Sequence, residues 1–193
     1  MKKISCILFT LLIFSCSAPV KEVVIDNPSA EAITVEFDNN EIFNLEPGEF
    51  RTISLKFGKR TISVNNQAAE EIILDEKKNY LINPLRETYY VQTARYFESE
   101  RASDRYYENH YPEKSTIEGI EVGGEYKKVG GEFLIKKNWD FGLDREMSPE
   151  LSMKSAPIRG HITARKIHRK QTLVDEIMEE FSRQLKEELS KKE

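Results

Sequence analysis

From position 23 to position 85, apolar and polar residues alternate in short runs. Ile33, Val35 and Phe37 alternate with Thr34 and Glu36; Ile53, Leu55 and Phe57 with Ser54 and Lys56; Ile62 and Val64 with Thr61 and Ser63. A period of two puts the apolar groups on one face of an extended chain, so each run predicts a half-buried strand. Residues 23–25, 42–45, 72–74 and 80–82 extend the series. Between the runs lie Asp38-Asn39-Asn40, Glu46-Pro47-Gly48, Gly58-Lys59, Asn65-Asn66 and Lys78-Asn79. Asn and Gly tolerate positive φ, and Pro presets the first turn position. Strands recurring at such short, regular intervals predict an antiparallel sandwich or small barrel, with Val35, Phe37, Ile53, Leu55, Phe57, Ile62 and Val64 in its core.

Past Leu85 the pattern changes. Tyr89, Tyr90, Tyr96, Tyr106, Tyr107 and Tyr111 are crowded among Glu and Arg, where aromatics either close an open end of the sandwich or, if exposed, anchor a protein or stack on a sugar. Residues 99–109 are polar enough to predict a loop. Val122-Gly123-Gly124 and Val129-Gly130-Gly131 mark turns around short strands, predicting a meander over 116–122, 125–129 and 132–136. Neither Gly-Gly pair carries the Lys-Ser/Thr closure of a phosphate loop. Trp139 reads as a packing residue in an irregular segment. Arg165, Lys166, His168, Arg169 and Lys170 form a basic run. It suits either a charged edge strand or, through Arg165, Lys166, Arg169 and Lys170, contact with an anionic surface.

The last element is a helix expected over 172–193, with Thr172 as its cap. Leu173, Ile177, Phe181, Leu185 and Leu189 lie in one stripe at helical spacing, flanked by Val174 and Met178. The stripe is buried either on the chain's own sheet or by a partner, and in the second case Leu185 and Leu189 are the contact residues. The fold class expected is therefore mainly β: a small antiparallel sandwich, a further meander and one C-terminal amphipathic helix.

The N-terminus is unlike the rest. Lys2-Lys3 precede a short apolar run ending in Ile13-Phe14-Ser15-Cys16, the charge, length and small-residue pattern of a secretory signal. This segment resembles the bacterial lipobox, in which the cysteine is acylated and becomes the new N-terminus; Phe14 departs from the usual residue there. The resemblance implies lipidation of Cys16, with an uncleaved anchor or an ordinary signal peptide as alternatives. Ser17, in place of a retention aspartate, implies the outer membrane. Cys6 and Cys16 are the only cysteines, so the processed chain would have no thiol for a disulfide and would depend on its core. Loss of Lys2 and Lys3 takes the 29 basic and 33 acidic residues further towards acid, which argues against a nucleic-acid partner.

The organisation expected is a signal peptide 1–15, a lipidated tether 16–22, a sandwich domain 23–85, the tyrosine-rich and Gly-Gly segment 86–137, an irregular or β segment with the basic run 138–171, and the helix. Asn27-Pro28, Asn39-Asn40 and Pro47-Gly48 make the first domain similar to PEGA-like or transthyretin-like sandwiches of bacterial envelope proteins. That likeness implies a binding or scaffold role. Lipid, short tether and small sandwich also resemble the plan of sheath-anchoring lipoproteins of contractile secretion systems.

His110, His161 and His168 are far apart in sequence, and no nucleophile elbow or metal-ligand spacing is present. No catalytic residue, metal or cofactor is expected. Two functions remain: a membrane-held docking module for another envelope protein, or a glycan or small-solute receptor built on the tyrosines. Substituting Cys16→Ser is expected to release the chain from the membrane, checked by fractionation after a salt wash; retention in the pellet would refute lipidation.

Overall fold

A computed structural model describes residues 20–97, 99–110, 113–147 and 161–191. The segment expected as a signal peptide, Cys16 and Tyr111 lie outside them. Among these described residues thirteen strands and two helices follow in order: β1 Val20–Asp26, β2 Ile33–Phe37, β3 Glu41–Leu45, β4 Phe50–Lys56, β5 Gly58–Val64, β6 Glu70–Leu74, β7 Tyr80–Ile82, β8 Thr88–Phe97, α1 Glu100–Asn109, β9 Lys114–Ile117, β10 Ile120–Gly123, β11 Glu125–Gly130, β12 Leu134–Lys136, β13 His161–Arg169 and α2 Lys170–Ser190. The chain is mainly β, with a C-terminal helix.

The alternating runs become strands for the reason their period suggests. Ile33, Val35 and Phe37 point inward from β2, Ile53 and Leu55 from β4, and Ile62 and Val64 from β5. These strands belong to two facing sheets, β3-β2-β5-β6 and β12-β7-β1-β4. Their inner faces meet in one cluster that also holds Val23, Ile25, Leu45, Ile72, Leu74 and Ile82. Phe57 departs from its expected place in the core. It lies just past the end of β4, half-buried, with the Lys21 ammonium 5.8 Å from its ring centre.

The second sheet is buried on both sides. Val24, Leu81 and Ile135 alternate with its core-facing residues and point away, where they pack with Tyr89, Val91, Trp139 and Ile167. Those partners belong largely to a third sheet, β11-β8-β13. A third layer explains the apolar runs Val23-Val24-Ile25 in β1 and Leu81-Ile82 in β7, since strands covered on both faces lose their alternation. The far face of the third sheet is in turn covered by the β9-β10 hairpin and the start of α2, through Tyr90, Ile117 and Leu173.

The strands of the Gly-Gly segment are thus distributed over three sheets. Residues 116–122, expected as one strand, fold back on themselves as β9 and β10 around Glu118 and Gly119, both at positive φ. That is the pattern of a tight hairpin turn. β11 pairs with β8, and β12 returns to pair with β7. Gly130 is fixed by a close approach: a Cβ there would lie 2.2 Å from the Glu87 carbonyl oxygen.

Residues 99–109, expected as a loop, are mostly helix α1. Ser99 caps it by accepting from the Ala102 amide at 3.2 Å, and Tyr106 stacks on His110 one turn later at 4.2 Å. Its polar composition concealed good helix formers around one aromatic edge. At the other end of the chain α2 starts at Lys170, two residues earlier than expected. Arg169 stands at its N-cap with no side-chain cap bond, so Thr172 lies inside the helix.

Leu55 is fully buried at the centre of the sandwich. Leu55→Ala is expected to cost about 2–5 kcal/mol through lost transfer energy and an unfilled cavity, measurable as a fall in the urea midpoint at constant slope.

Candidate functional site

The third sheet carries the polar chemistry, and its register arranges it in rows. Tyr89 and Val91 start one face of β8 and are buried against the sandwich; Thr93, Arg95 and Phe97 continue the same face beyond that contact. Cross-strand pairing sets Thr93 between Glu125 and Arg165, then Arg95 beside Thr163, then Phe97 beside His161. Since residues two apart share a face, these rows, apart from Phe97, form the floor of an open cleft of about 500 Å³, with Tyr106 and His110 at its α1 edge.

Two of the three histidines, distant in sequence, meet here: His161 lies 5.3 Å from the Tyr106 ring and edge-on to it, while His110 stacks on the same ring. Phe97 and Tyr107 complete the aromatic cluster. Arg95 donates to both oxygens of Glu113, at 3.0 and 3.1 Å, and to Glu125 at 2.9 Å. Against the cost of its partial burial, these bonds raise its pKa. Arg165 is exposed; its amide donates to the Asp140 carboxylate at 2.9 Å, and its guanidinium makes no ion pair among the described residues.

The tyrosines expected as contact residues divide by depth. Tyr89 and Tyr90 are core: the Tyr89 hydroxyl donates to the buried Asp26 at 2.6 Å and that of Tyr90 to Glu118 at 2.8 Å. Tyr96 and Tyr106 are half-buried, and only Tyr107 among these five is exposed. The basic run divides in the same way. Lys166 is buried and donates to Glu146 at 2.5 Å; Arg169 grips Asp26 through two nitrogens and donates to the Gly48 carbonyl at 2.8 Å. Arg165 is exposed and Lys170 half-buried. β13 lies at the edge of its sheet, and the 140–141 backbone seals part of that edge by bonding the Arg165 carbonyl. Alternation put Lys166 and His168 on the face that α2 covers.

The outer turns of α2 show a third kind of surface. Leu173 is 2 % exposed, whereas Met178, Phe181, Leu185 and Leu189 are 49, 63, 52 and 58 % exposed. The stripe therefore serves the chain's own core for two turns and then leaves it.

A smaller pocket of about 260 Å³ lies beside Trp139, between the second and third sheets. Trp139 itself is buried in the apolar cluster there. Among the described residues no group of three or more His, Cys, Asp or Glu is placed to hold a metal ion, and no helix is long and apolar enough to cross a membrane.

His168 couples this region to pH. Its Nε2 donates to Gln92 at 3.1 Å, while burial, then the nearby Lys166 ammonium, push its pKa down to about 4, against a smaller opposing pull from Glu146. The unfolded chain takes up that proton near 6.5. Between those values it binds more protons than the folded one, so stability falls as pH drops through the window, by about 3 kcal/mol in all. Glu176, whose carboxyl is pushed up by burial, works with the opposite sign. His168→Gln is expected to flatten the acid limb of the stability profile, measured as urea midpoints at about pH 4.5 and pH 7; an unchanged slope would show that the imidazole is not held neutral.

No protein-family model, no curated protein and no solved structure matches this chain, so the reading of its surfaces rests on their own geometry.

Proposed function

We propose that this protein is a lipid-anchored bacterial envelope protein that works without catalysis, docking a second protein along the outer turns of α2. One observation carries the reading: four large apolar side chains in a row, each about half or more exposed, on a helix whose first turns already close the core. They offer on the order of 400 Å² of contiguous apolar surface, the size of the largest patch on a typical monomer, which is often functional.

The partner's chemistry follows from area and charge. A second copy would supply only the same patch, and the pair would fall short of the roughly 800 Å² per side of a stable complex. A groove that wraps the helix covers its flanks as well. Those flanks carry Glu179 and Glu188 against Lys186, while Glu180, Arg183 and Glu187 lie on the far side of the helix, where Arg183 is engaged with Glu180. The expected occupant is an envelope protein with an apolar groove and a basic rim.

The lipobox-like segment supports the anchor. β1 begins at Val20, so only Ser17 to Pro19 separate it from Cys16, a reach of at most about 14 Å. A body held that close meets partners in or beside the membrane, and the outer membrane is the membrane proposed.

A photo-crosslinking residue at position 185 is expected to give one discrete adduct in intact envelopes, and one at Glu187, across the helix, to give none. Truncation after Phe181 should abolish co-purification of that partner while moving the thermal midpoint by only about 1–2 °C. A large fall in the midpoint, or no adduct from position 185, would refute the docking role of α2.

A further inference from the structure

We infer that the cleft at the His161 end of β13 is a binding site for a neutral saccharide. The inference is independent of the docking role, because α2 leaves the other end of the same strand.

Balance of charge is the first argument. Arg95 and Arg165 supply two guanidiniums to the lining and Glu125 one carboxylate; Glu113, outside the lining but bonded to Arg95 as Glu125 is, supplies the second carboxylate that balances them. Such a site has no net preference for a free anion or a free cation. It offers fixed donors and acceptors side by side: Glu125 accepts, Arg165 donates, and the Thr93 and Thr163 hydroxyls do both. Adjacent sugar hydroxyls, each donor and acceptor at once, need that alternation.

Geometry is the second argument. The rows are set by strand register and not by mobile side chains alone, so the polar groups are held at sheet spacing before any ligand arrives. The stacked Tyr106–His110 pair closes one side with an aromatic surface, with the outer His110 ring exposed. The C–H face of a pyranose packs on such a ring while its hydroxyls face the polar floor. A volume of about 500 Å³ is that of ordinary small-ligand sites.

Three histidines make the test direct, since the chain has only three. His110 and His161 line the cleft, and His168 is buried under α2 as an internal control. The full-length chain is titrated with glucose, N-acetylglucosamine, maltose and cellobiose, with glucuronate as the charged comparison, while the imidazole C–H resonances are followed by NMR. The expected result is a saturable shift of His110 and His161 with at least one neutral sugar, His168 staying still. Arg165→Gln and Thr163→Val should each weaken that binding about tenfold or more while leaving the His168 resonance in place, which shows the fold intact. Three outcomes overturn the inference: no shift with any neutral sugar at about 50 mM, enough to reveal a Kd of ~10 mM; tighter binding of glucuronate than of every neutral sugar; or variants that bind as the natural chain does.

Discussion

The Asp26–Arg169 ion pair is the constraint on which the arrangement of layers depends. Asp26 ends β1 and is fully buried, a costly place for a carboxylate unless it is paired and hydrogen-bonded. Both conditions are met from the third sheet: Arg169 of β13 binds both carboxylate oxygens, and Tyr89 of β8 donates its hydroxyl to one of them. Burial, and then the adjacent Asp26 charge, push the Tyr89 phenol far up, so it remains a donor. Arg169 also reaches the Gly48 carbonyl in the turn before β4. One charged cluster therefore ties both strands of the β1-β4 pair, at one side of their sheet, to the sheet behind them.

The same pair sets the direction of the terminal helix. Arg169 is the last residue of β13 and the N-cap of α2, with extended φ and ψ and no side-chain cap of its own. Its guanidinium is spent on Asp26 instead. The helix thus departs from an anchored residue with no loop between strand and helix, and its first turns fall on Tyr90 and Ile117. The His168 imidazole, one residue earlier and on the opposite face, is trapped under those turns, which is why it is desolvated and held neutral.

Local periodicity was legible and long-range pairing was not. The runs from Ile33 to Val64 each bury one face, and a one-residue slip would expose every core side chain, so their pattern nearly determines their placement. Nothing comparable marks β12, a three-residue strand that crosses back to β7, or β11, which chooses β8 over its sequence neighbour. Lys166 and His168 read as surface by composition, yet β13 has alternating faces and α2 covers one of them. The cleft was hidden for a related reason. Thr93 and Arg95 on one strand, and His161, Thr163 and Arg165 on another, form half-patterns at spacing two, and only the register between β8 and β13 joins them. The exposed end of α2 was visible as a stripe longer than two turns of packing require, although its uncapped start was not.

That surplus has a geometric meaning. An isolated stretch of a dozen residues is marginal as a helix in water, and the outer turns of α2 are helped only by local pairs such as Glu180 with Arg183 and Gln184, each worth a few tenths of a kcal/mol. Apolar residues at Phe181, Leu185 and Leu189 add nothing to that local support while exposed. These three follow one another at four, although Met178, the first of the exposed row, precedes Phe181 by three, so the row leaves the alternating three and four of a coiled-coil seam at Leu189. A strict i+4 row is a ridge inclined to the helix axis, and ridges of that kind interlock with their like at a crossing angle near −50°. On the docking role proposed above, the end of α2 would lie obliquely in a short groove between side-chain ridges, because a long parallel zipper would leave Leu189 turned away from the seam.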